Sequence, residues 1–334
     1  MNRIWTIFFL SFMLSACENI FFESDYASSD PFVNFDYLWN EIDRKYSYFE
    51  LKEVDWDEIR IRYRAQLSPD MTEEALFDVM AAMMNELRDD HSNLISPFNI
   101  SRYNLPLKER KQFFSRTVEE FYIPNAHITG PFYHDFIAGG TVGYIRYSSF
   151  LNNLDPRSLD HVLTRYRDTQ GLILDLRENG GGAISNIPIM LERFTFRRIH
   201  AASAITRNGP LRSDFGPPEP FFIGAHRGIQ YFKPVMVLID RGSYSATTFF
   251  ALLTKYISTL TLVGDYTGGG GGLPNGGQLP NGWTYRFSVS QILDLGGNNY
   301  AEQGVPPDIF AEFDWSDLSK DEIIIRALEE LGVL

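Results

Sequence analysis

From Gly140 onward the chain alternates short apolar runs with helical patterns, and this alternation narrows the possible folds sharply. VGYIRYSSF, GLILDL, AASAIT, VMVLID and TLTLVG read as strands, with helices near 155–168 and 183–194 between them. Strands so uniformly apolar must be covered on both faces, so an α/β sheet flanked by helices is expected over 140–334. Upstream, Phe35, Leu38, Trp39, Ile42 and Tyr46, then Trp56, Ile59 and Tyr63, recur at helical spacing. Asp70, Met71 and Thr72, followed by Glu73 and Glu74, mark a helix start that leads into ALFDVMAAMMNEL and stops near Arg88. The Met80, Met83 and Met84 stripe on that helix reads as core packing. Residues 35–96 thus form an expected N-terminal helical domain. Residues 97–139, interrupted by Pro97, Pro106, Pro124 and Pro131, read as a linking region of irregular or β-rich structure.

Composition removes several function classes. A chain of 334 residues that is 44% apolar and 15% aromatic is globular, with room for one sizeable core and a smaller module. Its 30 basic and 43 acidic residues give −13 with no long basic run, so nucleic acid is not an expected partner. At the N-terminus Arg3 precedes an apolar run of about a dozen residues, too short to span a membrane and characteristic of an export signal. The run ends in Leu14-Ser15-Ala16-Cys17, which resembles the bacterial lipoprotein cleavage box. Residues 1–16 are then a signal peptide, Cys17 the lipidated residue that holds the protein to a membrane, and 17–34 a polar tether; a plain secretory signal is the alternative. Cys17 is the only cysteine, so intramolecular disulfides and thiolate metal clusters are excluded. No pair among the six histidines has H-E-x-x-H spacing, and no metal or cofactor is expected.

Three stretches carry chemistry. GLILDLRENGGG (171–182) runs from a buried strand into three glycines, where a backbone N–H can approach a ligand with no Cβ in the way. Its spacing is not G-x-G-x-x-G and no phosphate-loop lysine follows, and tight backbone packing would also explain it. VMVLIDRGSYSATTFFALL (235–253) places two serines at a strand-to-helix turn, where a nucleophile could stand beside a backbone N–H. Ser243 or Ser245 could equally be a simple helix cap. LRDDHSNL (87–94) puts His91 in a loop, and imidazole is the usual base for a serine because it titrates near neutral pH.

Taken in order, these stretches resemble the carboxyl-terminal processing peptidases, the serine peptidase family that includes the tail-specific proteases and the tricorn core. DLRENGGG is similar to the family's D-L-R-x-N-x-G-G turn and DRGSYSAT to its S-x-S-A turn, which implies Ser245 as nucleophile and Ser243 as a turn residue. LVGDYTGG (262–269) and AEQGVPPDI (301–309) resemble two later family segments. Where the processing branch follows G-x-x-T-x-G with a catalytic lysine, this chain has Gly270. In the tricorn-like branch the base is a histidine in a D-G-H-T-like segment, which Asp89-Asp90-His91-Ser92 resembles with Asp90 in the glycine position. About fifty residues separate His91 from Gly140, too few for the PDZ domain many members insert there.

The resemblance implies a Clp peptidase/crotonase-like spiral of strands and helices, an α/β (α+β) fold preceded by the helical domain that delivers His91. It implies a peptide or unfolded-protein substrate, His91 as base, and Glu302 as the group that orients it; Glu178, Asp90, Ser92 and Asp265 compete for that last role. Backbone N–H groups of Ala246 and of Gly181 or Gly182 would receive the oxyanion. An inactive peptide-binding protein on the same scaffold and an acyl-CoA enzyme of crotonase type are the rival readings.

Overall fold

The computed structural model describes residues 27–103 and 111–334. The export signal, Cys17 and the first part of the tether lie outside the described residues.

The chain opens with three helices, α1 (Pro31–Lys45), α2 (Trp56–Arg64) and α3 (Glu73–Asn85), each started by a side chain that accepts backbone N–H groups: Asp30, Asp55 and Thr72. The short strand β1 (Asn93–Ile95) follows. Next come α4 (Ser115–Phe121), β2 (His127–Thr129), β3 (Phe132–Ile137) and β4 (Val142–Tyr147). Then α5 (Pro156–Arg165), β5 (Gly171–Asp175), α6 (Asn186–Leu191), β6 (Ile199–Thr206) and β7 (Glu219–Ile223) lead to β8 (Val235–Ile239). The chain ends with α7 (Ala246–Thr254), β9 (Leu260–Gly264), β10 (Pro274–Gln278), β11 (Thr284–Ser288), β12 (Ser290–Leu293), α8 (Tyr300–Gln303), β13 (Ile309–Phe310) and α9 (Glu322–Glu330).

A seven-stranded sheet in the order β13-β9-β8-β5-β4-β3-β2 forms the centre. Pairing is parallel from β13 to β4 and antiparallel from β4 to β2. Every residue of β5 and β8 is buried, as their unbroken apolar runs require. Two features depart from expectation. The segment before Gly140 is structurally part of the sheet, because β2 and β3 extend it through β4. AASAIT lies in β6, which joins a separate three-stranded sheet with β7 and β12.

The packing of the helical region decides where His91 goes. Its core combines Phe35, Trp39, Trp56, Phe77 and Met80 with Trp283, Tyr285 and Phe287 from the far end of the chain. β1 pairs antiparallel with β11, Asn93 opposite Arg286 and Leu94 opposite Tyr285. The loop between α3 and β1 is thereby fixed against the C-terminal half, and His91 sits in that loop.

Candidate active site

β8 ends at Ile239, and the chain turns through Asp240–Tyr244 into α7, a helix buried along its whole length. Ser243 is fully buried: its hydroxyl donates to Leu176 O at 2.8 Å and accepts from Asp240 N at 3.1 Å. It is a structural pin for the turn. Ser245 stands at the helix cap position but makes no capping hydrogen bond with its side chain. Its backbone is in the left-handed half of conformational space, φ 56° and ψ −117°, a costly geometry for a residue with a Cβ and one that recurs at exposed nucleophiles on strand-to-helix turns. Its Oγ lies 3.0 Å from His91 Nε2.

His91 is brought there by a tight local turn. Its backbone N–H donates to Asp89 Oδ1 at 2.9 Å, and Ser92 N–H donates to Asp89 O at 2.9 Å. Tyr244 packs its ring against the imidazole edge to face, with centroids 5.1 Å apart. Burial lowers the imidazole's pKa below its ordinary value, opposed by the negative charge of Asp89. The ring is therefore neutral at physiological pH, and its Nε2 can accept a proton. Nδ1 is buried with no hydrogen-bond partner among the described residues.

Tyr244 also explains Gly270. This glycine has φ +76°, and a Cβ added to it would come 2.3 Å from Tyr244 Cζ. A side chain at the position where the processing branch carries lysine would be strained by that φ and would meet the ring of Tyr244, which itself packs against the imidazole. The turn of Gly180–Gly182 abuts Ser245 in the same way: a Cβ on Gly181, φ +90°, would lie 2.6 Å from Tyr244 O and 2.9 Å from Ala246 N. Asn179 braces this turn, accepting from Gly181 N–H at 3.0 Å and donating to Tyr147 O at 2.8 Å. Gly181 N–H is thus engaged, whereas Gly182 N–H and Ala246 N–H have no partner among the described residues.

Glu302 does not reach the imidazole. Its carboxylate pairs with Lys52 Nζ at 2.5 Å and accepts from Gly271 N–H at 3.0 Å, so both oxygens are engaged away from His91. It lines a separate cavity of about 160 Å³ with Lys52, Asp89, Asp90 and Tyr244. Burial, reinforced by Asp89 and opposed by Lys52, pushes its pKa up to about 7. Lys52 in turn donates to Arg88 O at 2.9 Å, at the start of the His91 turn. The competing orienters are placed elsewhere: Glu178 is exposed, Asp265 pairs with Arg241 at 3.4 Å, and Ser92 Oγ donates to Asp89 Oδ2 at 3.3 Å. Asp90 lines the cleft beside His91. Sequence reasoning overlooked Lys52, which sits in a polar loop with no motif around it, and Asp89, which stood inside a motif but was not weighed as a partner.

His91 and Ser245 share a cleft of about 750 Å³ with Gly181, Gly182, Ala246 and Arg286. Among the described residues no group of three or more His, Cys, Asp or Glu is placed to hold a metal ion. The arrangement can activate a serine hydroxyl and present N–H groups to a developing oxyanion, which suits acyl transfer.

The chain is similar in sequence and fold to known peptidases. The profile of peptidase family S41 matches residues 141–311, and that of the tricorn protease C1 domain matches residues 30–85. A crystal structure of a candidate peptidase from Parabacteroides merdae superposes with a TM-score of 0.86 at 33% identity, covering 91% of this chain and 97% of that one. Mature CPAF shares the fold, with a TM-score of 0.67 at 13% identity over 91% of this chain and 95% of that one. The carboxy-terminal processing protease CtpB of Bacillus subtilis is 26% identical over 175 residues, 52% of this chain but only 34% of that protein. The chain thus spans about a third of the length of that curated relative.

Proposed function

The chain belongs to peptidase family S41, and from that premise we propose that it is a serine endopeptidase of the bacterial cell envelope, held to a membrane by a lipid on Cys17 and acting on peptides or unfolded proteins. The observation that carries the catalytic reading is the 3.0 Å approach of His91 Nε2 to the hydroxyl of a serine whose backbone is strained and whose side chain caps nothing.

In this reading His91 Nε2 takes the Ser245 proton as Oγ attacks the scissile carbonyl. Ala246 N–H and Gly182 N–H receive the carbonyl oxygen as it becomes an oxyanion, and Gly181 supplies the close backbone approach without donating. The imidazolium then protonates the leaving amine, and the acyl-enzyme is released by water that His91 deprotonates in the reverse sense. Asp89 stabilises the imidazolium through space. Glu302 acts at one remove: it holds Lys52, which ties down the carbonyl of Arg88 and so the turn that carries His91. The lipoprotein-type box Leu14-Ser15-Ala16-Cys17 supports the anchor and the export.

The test is labelling of the intact protein with a fluorophosphonate probe, paired with hydrolysis of an unfolded protein substrate. Wild type should label and cleave, and Ser245→Ala should do neither. If wild type does neither, the scaffold is a peptide-binding protein and the catalytic reading fails. Mass spectrometry of the protein made in a bacterial host should find acyl chains on Cys17; an unmodified cysteine would remove the anchor.

A further inference from the structure

The cleft beside Ser245 is marked by a cation with no counter-ion among the described residues, in a chain whose net charge is −13. Arg286 lies on β11 between the buried Tyr285 and Phe287, so its side chain leaves the sheet on the face opposite the helical core, and it is exposed. It lines the cleft that contains His91 and Ser245. Its Nε donates to Asn93 Oδ1 at 2.6 Å. Asn93 is itself buried and fixed, its Nδ2 donating to Ser101 O at 2.9 Å. One edge of the guanidinium is therefore anchored, while the side chain makes no ion pair with a described carboxylate. Across the ladder from Arg286 stands Gly276, in a strand that reads Pro-Asn-Gly-Gly-Gln, so no bulky neighbour covers the arginine on that side. A second arginine in the lining, Arg102, likewise pairs with no described carboxylate. Among the described residues Asp90 is the only carboxylate lining the cleft.

An anchored guanidinium offering its terminal N–H groups beside the reacting atoms is a receptor for a planar anion, and a carboxylate fits that fork. We propose that Arg286 selects peptides bearing a carboxylate within a few residues of the scissile bond, so that the cleft takes acidic segments in preference to neutral or basic ones. The carboxylate can come from an Asp or Glu side chain or from the substrate's own C-terminus. Arg286 also contributes to keeping the imidazole of His91 uncharged. A bound carboxylate would screen that charge and raise the basicity of His91 in the complex. The groups whose charges bear on His91 are Asp89, Asp90 and Lys52 as well as Arg286.

This inference rests on the peptide-hydrolysis reading, and its test separates the two. Otherwise identical peptides carrying Glu, Gln or Lys in turn at the positions flanking the cleaved bond, each with a free or an amidated C-terminus, are compared on wild type, Arg286→Gln and Arg286→Glu. Wild type should favour a carboxylate by on the order of tenfold in kcat/KM, the worth of one partly solvated charge-assisted contact. That preference should fall to about one in Arg286→Gln and reverse toward Lys in Arg286→Glu, a ratio insensitive to partial loss of folded protein. A preference for Glu in amidated peptides assigns the carboxylate to a side chain; dependence on the free terminus alone assigns it to the chain end. Equal rates on all peptides with wild type, or an acidic preference that survives in Arg286→Gln, would overturn the proposal. Should no peptide be cleaved, fluorescence-polarisation binding of the same peptides to full-length wild type and Arg286→Glu gives the same discrimination without turnover, with equal affinities overturning it.

Discussion

The turn that carries Ser245 lies between two wholly buried elements, a strand of the central sheet and a helix, whereas the loop that carries His91 is held against the rest of the chain by the helical region and β11. Around Ser245, the buried strand β8, the Ser243 pin and the buried helix α7 occupy some twenty consecutive residues, and neighbouring loops lock the φ of 56° between them: Ser243 Oγ donates to Leu176 O, Tyr244 N–H to Asn179 O and Ser245 N–H to Gly269 O. Around His91 the supports are Asp89 from its own turn, Lys52 from the loop between α1 and α2, and β11 from almost two hundred residues downstream. A local turn can store strain at one residue because packed elements on both sides over-determine it. A loop held by a few contacts from separate segments is positioned only when each is made, so His91 is the half of the site more exposed to substitutions outside the central sheet.

The largest effects test whether the two halves act as one unit. Ser245→Ala and His91→Ala should each lower kcat by on the order of 10⁶, and the double variant should be no worse than either, as measured on an unfolded protein substrate. Additive losses would mean that the two residues do not work together. Gly181→Ala comes next: its Cβ would press on the Ser245–Ala246 peptide, and kcat should fall about 10²–10³-fold with KM changed far less. Lys52→Met attacks the long-range half, leaving the carboxylate of Glu302 buried without its cation. Melting in urea should show a loss of about 2–3 kcal/mol, short of a fully buried pair because Lys52 keeps 12% of its side chain exposed, and Lys52→Arg should restore most of it. If Lys52→Met lowers stability but leaves kcat untouched, Glu302 and Lys52 have no part in placing His91.

Smaller effects sharpen the contrast. Ser243→Ala removes buried hydrogen bonds and should cost about 1–3 kcal/mol of stability while fluorophosphonate labelling of the remaining folded protein persists; loss of labelling in fully folded Ser243→Ala would show that the pin shapes the nucleophile directly. The acid limb of kcat/KM should be set by His91, which must be neutral to accept a proton. Burial has lowered its pKa, so activity should be lost only as pH falls below the ordinary imidazole value of 6.5. A midpoint at or above that value would place another group in the role of base.

Much of this was legible without coordinates. The apolar runs of β5 and β8 announce buried strands, Thr72 followed by Glu73 and Glu74 announces a helix, and two serines at a strand-to-helix turn narrow the nucleophile to a pair. Resemblance then selected Ser245, and Gly270 directed the search to His91. The linking region was harder to read, because β2 has only three residues and both β2 and β3 expose apolar or aromatic residues, Ile128 and Tyr133, where a polar one would mark the solvent face. Glu302 was read from a motif as a direct partner of the imidazole, and its true contacts lie elsewhere.

Sequence alone determined the N-terminal helices, the buried strands of the two-faced sheet and the residue types able to activate a serine, since these depend on local periodicity, capping and side-chain chemistry. Tertiary structure decided which serine is free to react, that Tyr244 crowds the lysine position, that Glu302 binds Lys52 instead of His91, and that Arg286 stands uncovered in the cleft. Each of those depends on pairing between segments as far apart as β1 and β11, and the distance between two side chains on different segments is set by how the whole core packs.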